Sequence, residues 1–107
     1  MEERRSVSFP RKKRRYLVEY SLEGSSCNGF SHDVSASGIF VRSARLPDPG
    51  TNLTLSVHLP GGSRLTVRCK VVRTHRVPGR LSTVKPSGFA VRIIDAPEDY
   101  YQLLATL

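Results

Sequence analysis

The chain has 107 residues, is 38% hydrophobic with four Phe, four Tyr and no Trp, and carries 17 Lys and Arg against nine Asp and Glu, a formal net charge of +8. That length holds one domain with one core and excludes two, and no apolar run approaches the ~18 residues that would span a bilayer. With so few aromatics the core has to come from Val, Leu and Ile, which favours sheet over helix bundle.

The basic charge is uneven. Residues 1–15 hold seven Arg or Lys against Glu2 and Glu3, a net of +5, which leaves +3 for the rest of the chain. A basic tail of this kind calls for an anionic partner. The charged N-terminus has no apolar segment behind it. Cys27 and Cys69 show neither C-x-x-C nor metal-ligand spacing. The expectation is a cytoplasmic protein with free thiols and no membrane insertion.

Residues 1–10 lack apolar periodicity and are expected to form a flexible arm, with Pro10 removing a backbone donor ahead of Arg11-Lys12-Lys13-Arg14-Arg15; residues 11–107 then make one domain. A first strand is predicted over Tyr16 to Ser21, ending in a turn over Glu23-Gly24-Ser25-Ser26. From Gly29 the chain alternates, placing Phe30, His32 and Val34 on one side and Ser31, Asp33 and Ser35 on the other. Ala36-Ser37-Gly38 breaks that strand, and Ile39-Phe40-Val41-Arg42 resumes it as the second arm of a hairpin, with Gly38 supplying backbone freedom at the corner.

Leu46-Pro47-Asp48-Pro49-Gly50 is a loop, since two prolines and a glycine cannot sit in a ladder. The next strand turns Leu53, Leu55, Val57 and Leu59 inward, and Pro60-Gly61-Gly62-Ser63 reverses it. Residues Arg64 to Thr74 repeat the pattern with Leu65, Val67, Cys69 and Val71, which makes Cys69 a small core residue. A longer basic loop from His75 to Pro86 precedes a last strand over Gly88 to Ile94, with Phe89 on a core parity. Asp95-Ala96-Pro97-Glu98-Asp99 is a helix start, and Tyr100, Leu103, Leu104 and Leu107 form one stripe that can cover the end of a barrel. The prediction is a mainly β fold, a six-stranded antiparallel barrel with a short C-terminal helix and a basic N-terminal arm.

Catalysis finds little support. His32, His58 and His75 lie on three elements, with no nucleophile motif and no recognisable carboxylate pair, and on a strand His32 points away from Asp33 and Ser35. No ligand set for a metal gathers, and no cofactor is called for. Binding is better supported. Arg11 and Arg15 each offer a planar fork for a phosphate or for the O6/N7 edge of guanine. Asp33 can accept from a guanine's ring N–H and amino group, and Ser35 can donate to a phosphate or to its own turn. The alternative is a solvated basic arm beside an ordinary Asx turn.

Arg11-x-x-x-Arg15 followed by Asp33-x-Ser35-x-x-Gly38 resembles the R-x-x-x-R and D/N-x-S-x-x-G signature of PilZ domains, bacterial receptors for cyclic di-GMP. The order of the motifs, the strand after each, and Pro86-Ser87-Gly88-Phe89-Ala90-Val91-Arg92 are similar to that family over nearly the whole chain from Phe9. One departure is Gly88-Phe89-Ala90, where the family often has Gly-x-Gly. The resemblance implies that Arg11 and Arg15 grip phosphate and guanine while Asp33, Ser35 and Gly38 form the base-binding turn. Lys12, Arg14, Ser37, Arg4 and Arg5 stand as accessory positions, and Lys12 or Arg14 can exchange roles with Arg11 or Arg15. The function it implies is a non-catalytic cyclic di-GMP receptor acting on an effector protein in motility, surface polysaccharide or signalling control. The rivals are a ligand-independent interaction module and a basic nucleic-acid-binding barrel. Against the latter, the aromatics are expected mostly on core parities rather than as exposed stacking platforms.

Overall fold

The computed structural model describes residues 10–78 and 87–107. The expected arm, with Arg4 and Arg5, therefore lies outside the described residues apart from Pro10, as does most of the basic loop beyond Pro78. The strands are β1 (Lys12–Lys13), β2 (Leu17–Leu22), β3 (Ser25–Val34), β4 (Gly38–Arg42), β5 (Asn52–His58), β6 (Arg64–His75) and β7 (Gly88–Asp95), followed by helix α1 (Glu98–Ala105). Every pairing is antiparallel, the strands follow one another as β3-β2-β5-β6-β7-β4, and β4 pairs back onto β3. Six strands thus close into a barrel, as the sequence predicts. β1 is an unpredicted addition that sets Lys12 opposite Val34 and Lys13 opposite Asp33 at the end of β3.

Alternation fills the barrel. Leu53, Leu55 and Val57 of β5 meet Leu65, Val67, Cys69 and Val71 of β6, together with Val18, Tyr20, Ile39, Val41, Phe89 and Val91. Each fully buried Leu or Val among them contributes about 1.5–3 kcal/mol of transfer free energy. Cys69 is the small core residue expected, and its burial pushes the thiol pKa up to about 12. Helix α1 starts after Pro97 with Glu98 and Asp99 in its first turn, where acids meet the positive end of the helix dipole. It buries Tyr100 and packs Leu103 and Leu104 on the core, with Leu107 just beyond its end. Among the described residues no helix is long and apolar enough to cross a membrane.

Three expectations need correction. The β2–β3 turn is two residues long: Glu23 and Gly24 have φ of 51° and 83°, the paired positive values that match strand twist in a tight hairpin. Ser25 and Ser26 are accordingly strand residues opposite Leu22 and Ser21. The simple alternation from Gly29 also fails. Cys27, Gly29 and Ser31 are buried and Phe30 is exposed, yet Val34 is buried again. The ladder to β4 explains the reversal, because Ser31 faces Val41 while Asp33 faces Phe40, leaving His32 as an extra residue. One inserted residue exchanges the two faces of everything that follows.

The third correction concerns Gly38. Its φ is not positive, and it lies inside β4 opposite Arg92. A Cβ at this position would stand 2.5 Å from the Val91 carbonyl oxygen. The glycine is required by close approach of the β7 backbone rather than by corner geometry.

Candidate functional site

The basic run becomes two structures because the ladder along β3 breaks between β1 and β2. Ser31, buried, spans the break: the Tyr16 amide donates to its Oγ (2.8 Å), and that Oγ donates to the Arg14 carbonyl (2.6 Å). The Ser31 amide also donates to the Tyr16 carbonyl, at 2.9 Å. Arg14 and Arg15 are thereby left out of the ladder with their side chains outside the barrel. The Arg14 guanidinium donates back to the Lys13 carbonyl at 2.7 Å. That of Arg15 lies over the Phe30 ring, 3.8 Å from its centroid, an arrangement worth about 0.5–1 kcal/mol at an exposed site.

Arg11 goes elsewhere. Since Lys13 faces Asp33 across the ladder, Arg11 stands diagonal to Asp33 on the same face, within reach of a long side chain. Its Nε donates to Asp33 Oδ1 at 2.9 Å and its Nη2 donates to the same oxygen. The carboxylate is 17% exposed and the guanidinium side chain 47%.

The turn beyond Asp33 is held from within. The Ser35 amide donates to the Gly38 carbonyl (2.9 Å), and the Gly38 and Ser37 amides donate to Ser35 Oγ at 3.1 and 3.3 Å. Of the two roles open to Ser35, phosphate donor or turn former, the geometry realises the second, and the residue is buried. Beneath it the Tyr100 hydroxyl donates to the Ser35 carbonyl at 2.7 Å. Burial pushes the Tyr100 phenol pKa well above its usual value.

Outside this turn lies an open depression of about 410 Å³. Arg11, Asp33, Ser37 and Gly38 line it on the β1–β3–β4 side, and Phe40 and Ala90 form apolar floor. Val72 and Arg73 of β6 and Arg92 of β7 line it farther across the sheet. Three arginines and one carboxylate thus line the depression. A neighbouring depression of about 280 Å³ holds Arg15, Arg14, Lys13, Phe30, His32 and Arg42. His32 and Phe40, in edge contact at 6.1 Å between centroids, each line one of the two.

Comparison with known proteins identifies the family and the fold. The family model described as PilZ domain matches residues 3–107. The chain belongs to the PilZ domain family. A search of curated proteins returned no match. Among solved structures the chain is similar to the Bacillus subtilis inhibitor of motility MotI/DgrA, with TM-score 0.73 and 19% identity over 91% of this chain and 46% of that one. It is also similar to the PilZ domain of Escherichia coli YcgR, solved with c-di-GMP, with TM-score 0.66 and 12% identity over 81% of this chain and 76% of that one. Against YcgR in complex with c-di-GMP, the TM-score is 0.72 and the chain covers 42% of that protein. The chain thus spans less than half the length of MotI/DgrA and of that YcgR structure, and at these identities the likeness is one of fold.

Of the residues predicted from the PilZ signature, Arg11, Asp33 and Gly38 come together at one depression, with the accessory Ser37. Arg15 and Arg14 line the adjoining one, Ser35 is buried under the turn, and Lys12 is half-buried in β1 and lines neither. Sequence reasoning missed Phe30, whose expected burial the His32 bulge overturns, and it missed Arg73 and Arg92. Arg92 follows a recognisable strand motif and was within reach of the alternation rule. Arg73 was not, because the parity that exposes it depends on a second bulge. Among the described residues no group of three His, Cys, Asp or Glu gathers as a metal site.

Proposed function

We propose that this PilZ domain is a non-catalytic receptor for cyclic di-GMP that transmits ligand binding to a partner protein. The observation that carries the proposal is the meeting of Arg11 and Asp33 beside Ser37 and Gly38 on the outer wall of the barrel. A guanidinium fork for phosphate or a purine edge and a carboxylate for a guanine's donor edge then sit within one molecule's reach. Arg15, over Phe30 in the next depression, supplies the second fork, and the two depressions together suit a ligand larger than a mononucleotide. The similarity to YcgR, whose PilZ domain was solved with c-di-GMP, supports the same ligand. The motility inhibitor among the similar structures supports an output on a partner protein. Motility, surface polysaccharide and signalling control are the candidate processes, in the cytoplasm.

Calorimetric titration with cyclic di-GMP tests the proposal. Saturable binding is expected, abolished by Arg11→Ala with Arg15→Ala and weakened by about 1–3 kcal/mol in Asp33→Ala. Absence of binding by the wild type, or full affinity in the double variant, contradicts it. Phe30 favours a second reading, because it is 36% exposed and lies among Lys13, Arg14 and Arg42, the pairing of aromatic and cations that single-stranded nucleic acid uses. One aromatic already covered by Arg15 is a small platform. A gel shift with steep salt dependence and no response to cyclic di-GMP would favour that reading.

A further inference from the structure

We infer that Arg73 and Arg92 form a second anion-binding wall of the Arg11–Asp33 depression, so that the site takes a ligand with two separated phosphate groups. This deepens the proposed function and rests on it for the identity of the ligand. Neither arginine belongs to the R-x-x-x-R or D/N-x-S-x-x-G motif.

The first observation is a bulge. In the ladder between β6 and β7, Val71 faces Val91 and Arg73 faces Ala90, leaving Val72 as an extra residue. Strict alternation from the buried Val67, Cys69 and Val71 would have turned Arg73 into the core. With Val72 inserted, Val72 and Arg73 are both exposed and both line the depression. The bulge at His32 in β3 does the corresponding thing on the other side, where it restores Val34 to the core and leaves Asp33 facing the same space. Two irregularities in two strands therefore aim opposite charges at one depression, a recognised use of bulges beside binding sites.

The second observation is the space beside Arg92. Its partner in β4 is Gly38, so no side chain stands beside the Arg92 stem on the flank that faces the depression, while on the other flank Lys70 of β6 lies opposite it. The third is the charge balance. Asp33 is the sole carboxylate among the described lining residues and is engaged by Arg11. Arg73 and Arg92 bring two further positive charges to a surface that offers them no second carboxylate. Between the walls lie Phe40 and Ala90, continued by the 48% exposed Val72 beside Arg73, an apolar strip on which a flat base can rest.

The spacing separates the two walls. β3 and β6 have β4 and β7 between them, so at about 4.8 Å per strand Arg73 stands roughly 14 Å from β3 measured along the sheet, with Arg92 on β7 one strand nearer. One phosphate settles against one wall. A cyclic dinucleotide, with its two phosphodiesters held apart by the ribose rings, can address both.

The test is calorimetry on the full chain and on Arg73→Gln and Arg92→Gln, with cyclic di-GMP and with GMP, at low and moderate salt. In parallel, inorganic pyrophosphate is titrated while the arginine Nε–H resonances are followed by NMR. Each variant is expected to weaken cyclic di-GMP by about tenfold or more, the loss of a charge-assisted contact. GMP, which can settle on the Arg11 wall alone, is expected to weaken less, and salt dependence is expected to flatten in both variants. Unchanged cyclic di-GMP affinity in both variants overturns the inference while leaving the proposed function standing. If the wild type does not bind cyclic di-GMP, the proposed function falls and pyrophosphate decides the wall. Shifts at Arg73 and Arg92 that the substitutions abolish then support it, and their absence overturns it.

Discussion

Replacing Tyr100 with Phe tests whether the helix and the turn form one mechanical unit. The substitution keeps the ring, which is 1% exposed in the core, and removes only the hydroxyl that donates to the Ser35 carbonyl at 2.7 Å. Ser35 is also 1% exposed, so water cannot readily replace the lost donor, and an orphaned buried acceptor costs about 1–3 kcal/mol. Urea unfolding followed by far-UV circular dichroism should show a lower midpoint with an unchanged m-value. The melting temperature should fall by roughly 4–8 °C for each kcal/mol. The pH dependence gives a second readout. Burial raises the Tyr100 pKa in the folded state, so the stability it contributes is complete below the unfolded value of about 10 and is lost as pH rises beyond it. The gap between wild type and Tyr100→Phe should therefore narrow in alkali. A loss below about 0.5 kcal/mol at neutral pH would mean that the hydroxyl does not hold the turn to the helix.

Other substitutions probe the elements around the site. Gly38→Ala places a Cβ 2.5 Å from the Val91 carbonyl oxygen and should destabilise by about 1–3 kcal/mol as β4 and β7 are pushed apart; an unchanged thermal melt would contradict the close-approach argument. Ser31→Ala strands the Tyr16 amide and the Arg14 carbonyl and should cost a similar ~1–3 kcal/mol. Hydrogen exchange at the Tyr16 amide should accelerate most, and continued protection there would refute the bridging role. With its pKa pushed up to about 12, the buried Cys69 thiol stays protonated and should resist alkylation in native protein at pH 8, so rapid labelling would count against it. Without ligand, a double-mutant cycle on Arg11 and Asp33 should give a coupling below about 1 kcal/mol, because the arginine side chain is 47% exposed and solvent screens the pair. A coupling above about 2 kcal/mol would require a far drier pair.

Much of this architecture was legible in the residues because a barrel repeats one rule. Leu53 to Val57 and Leu65 to Val71 alternate without interruption, and their burial follows from period two alone. The stripe through Tyr100, Leu103 and Leu104 marked the helix face in the same way. What could not be read were the places where one residue is added. Nothing in Ser31-His32-Asp33 or Val71-Val72-Arg73 announces a bulge, since the extra residue is defined only by the partner strand. The Phe30 assignment therefore failed and Arg73 went unnoticed. Gly38 was singled out for corner geometry, whereas the glycine is required by close approach, and the obstructing Val91 carbonyl lies more than 50 residues away along the chain. The motifs pointed to Arg11 and Asp33, whereas their direct contact depends on the unforeseen strand β1.

That contact has a consequence for selectivity. Before any ligand arrives, Arg11 and Asp33 already satisfy each other, so entry between them is an exchange reaction and not the filling of an empty seat. A bare anion that captures Arg11 strands a carboxylate that is only 17% exposed, and a cation that captures Asp33 strands the arginine in turn. Either intruder gains one partner for the protein and removes another. A molecule that brings an acceptor and a donor edge together replaces both at once. With a coupling of at most about 1 kcal/mol, what the vacant protein keeps joined adds up to roughly fivefold to discrimination against the plentiful simple phosphates of a cell.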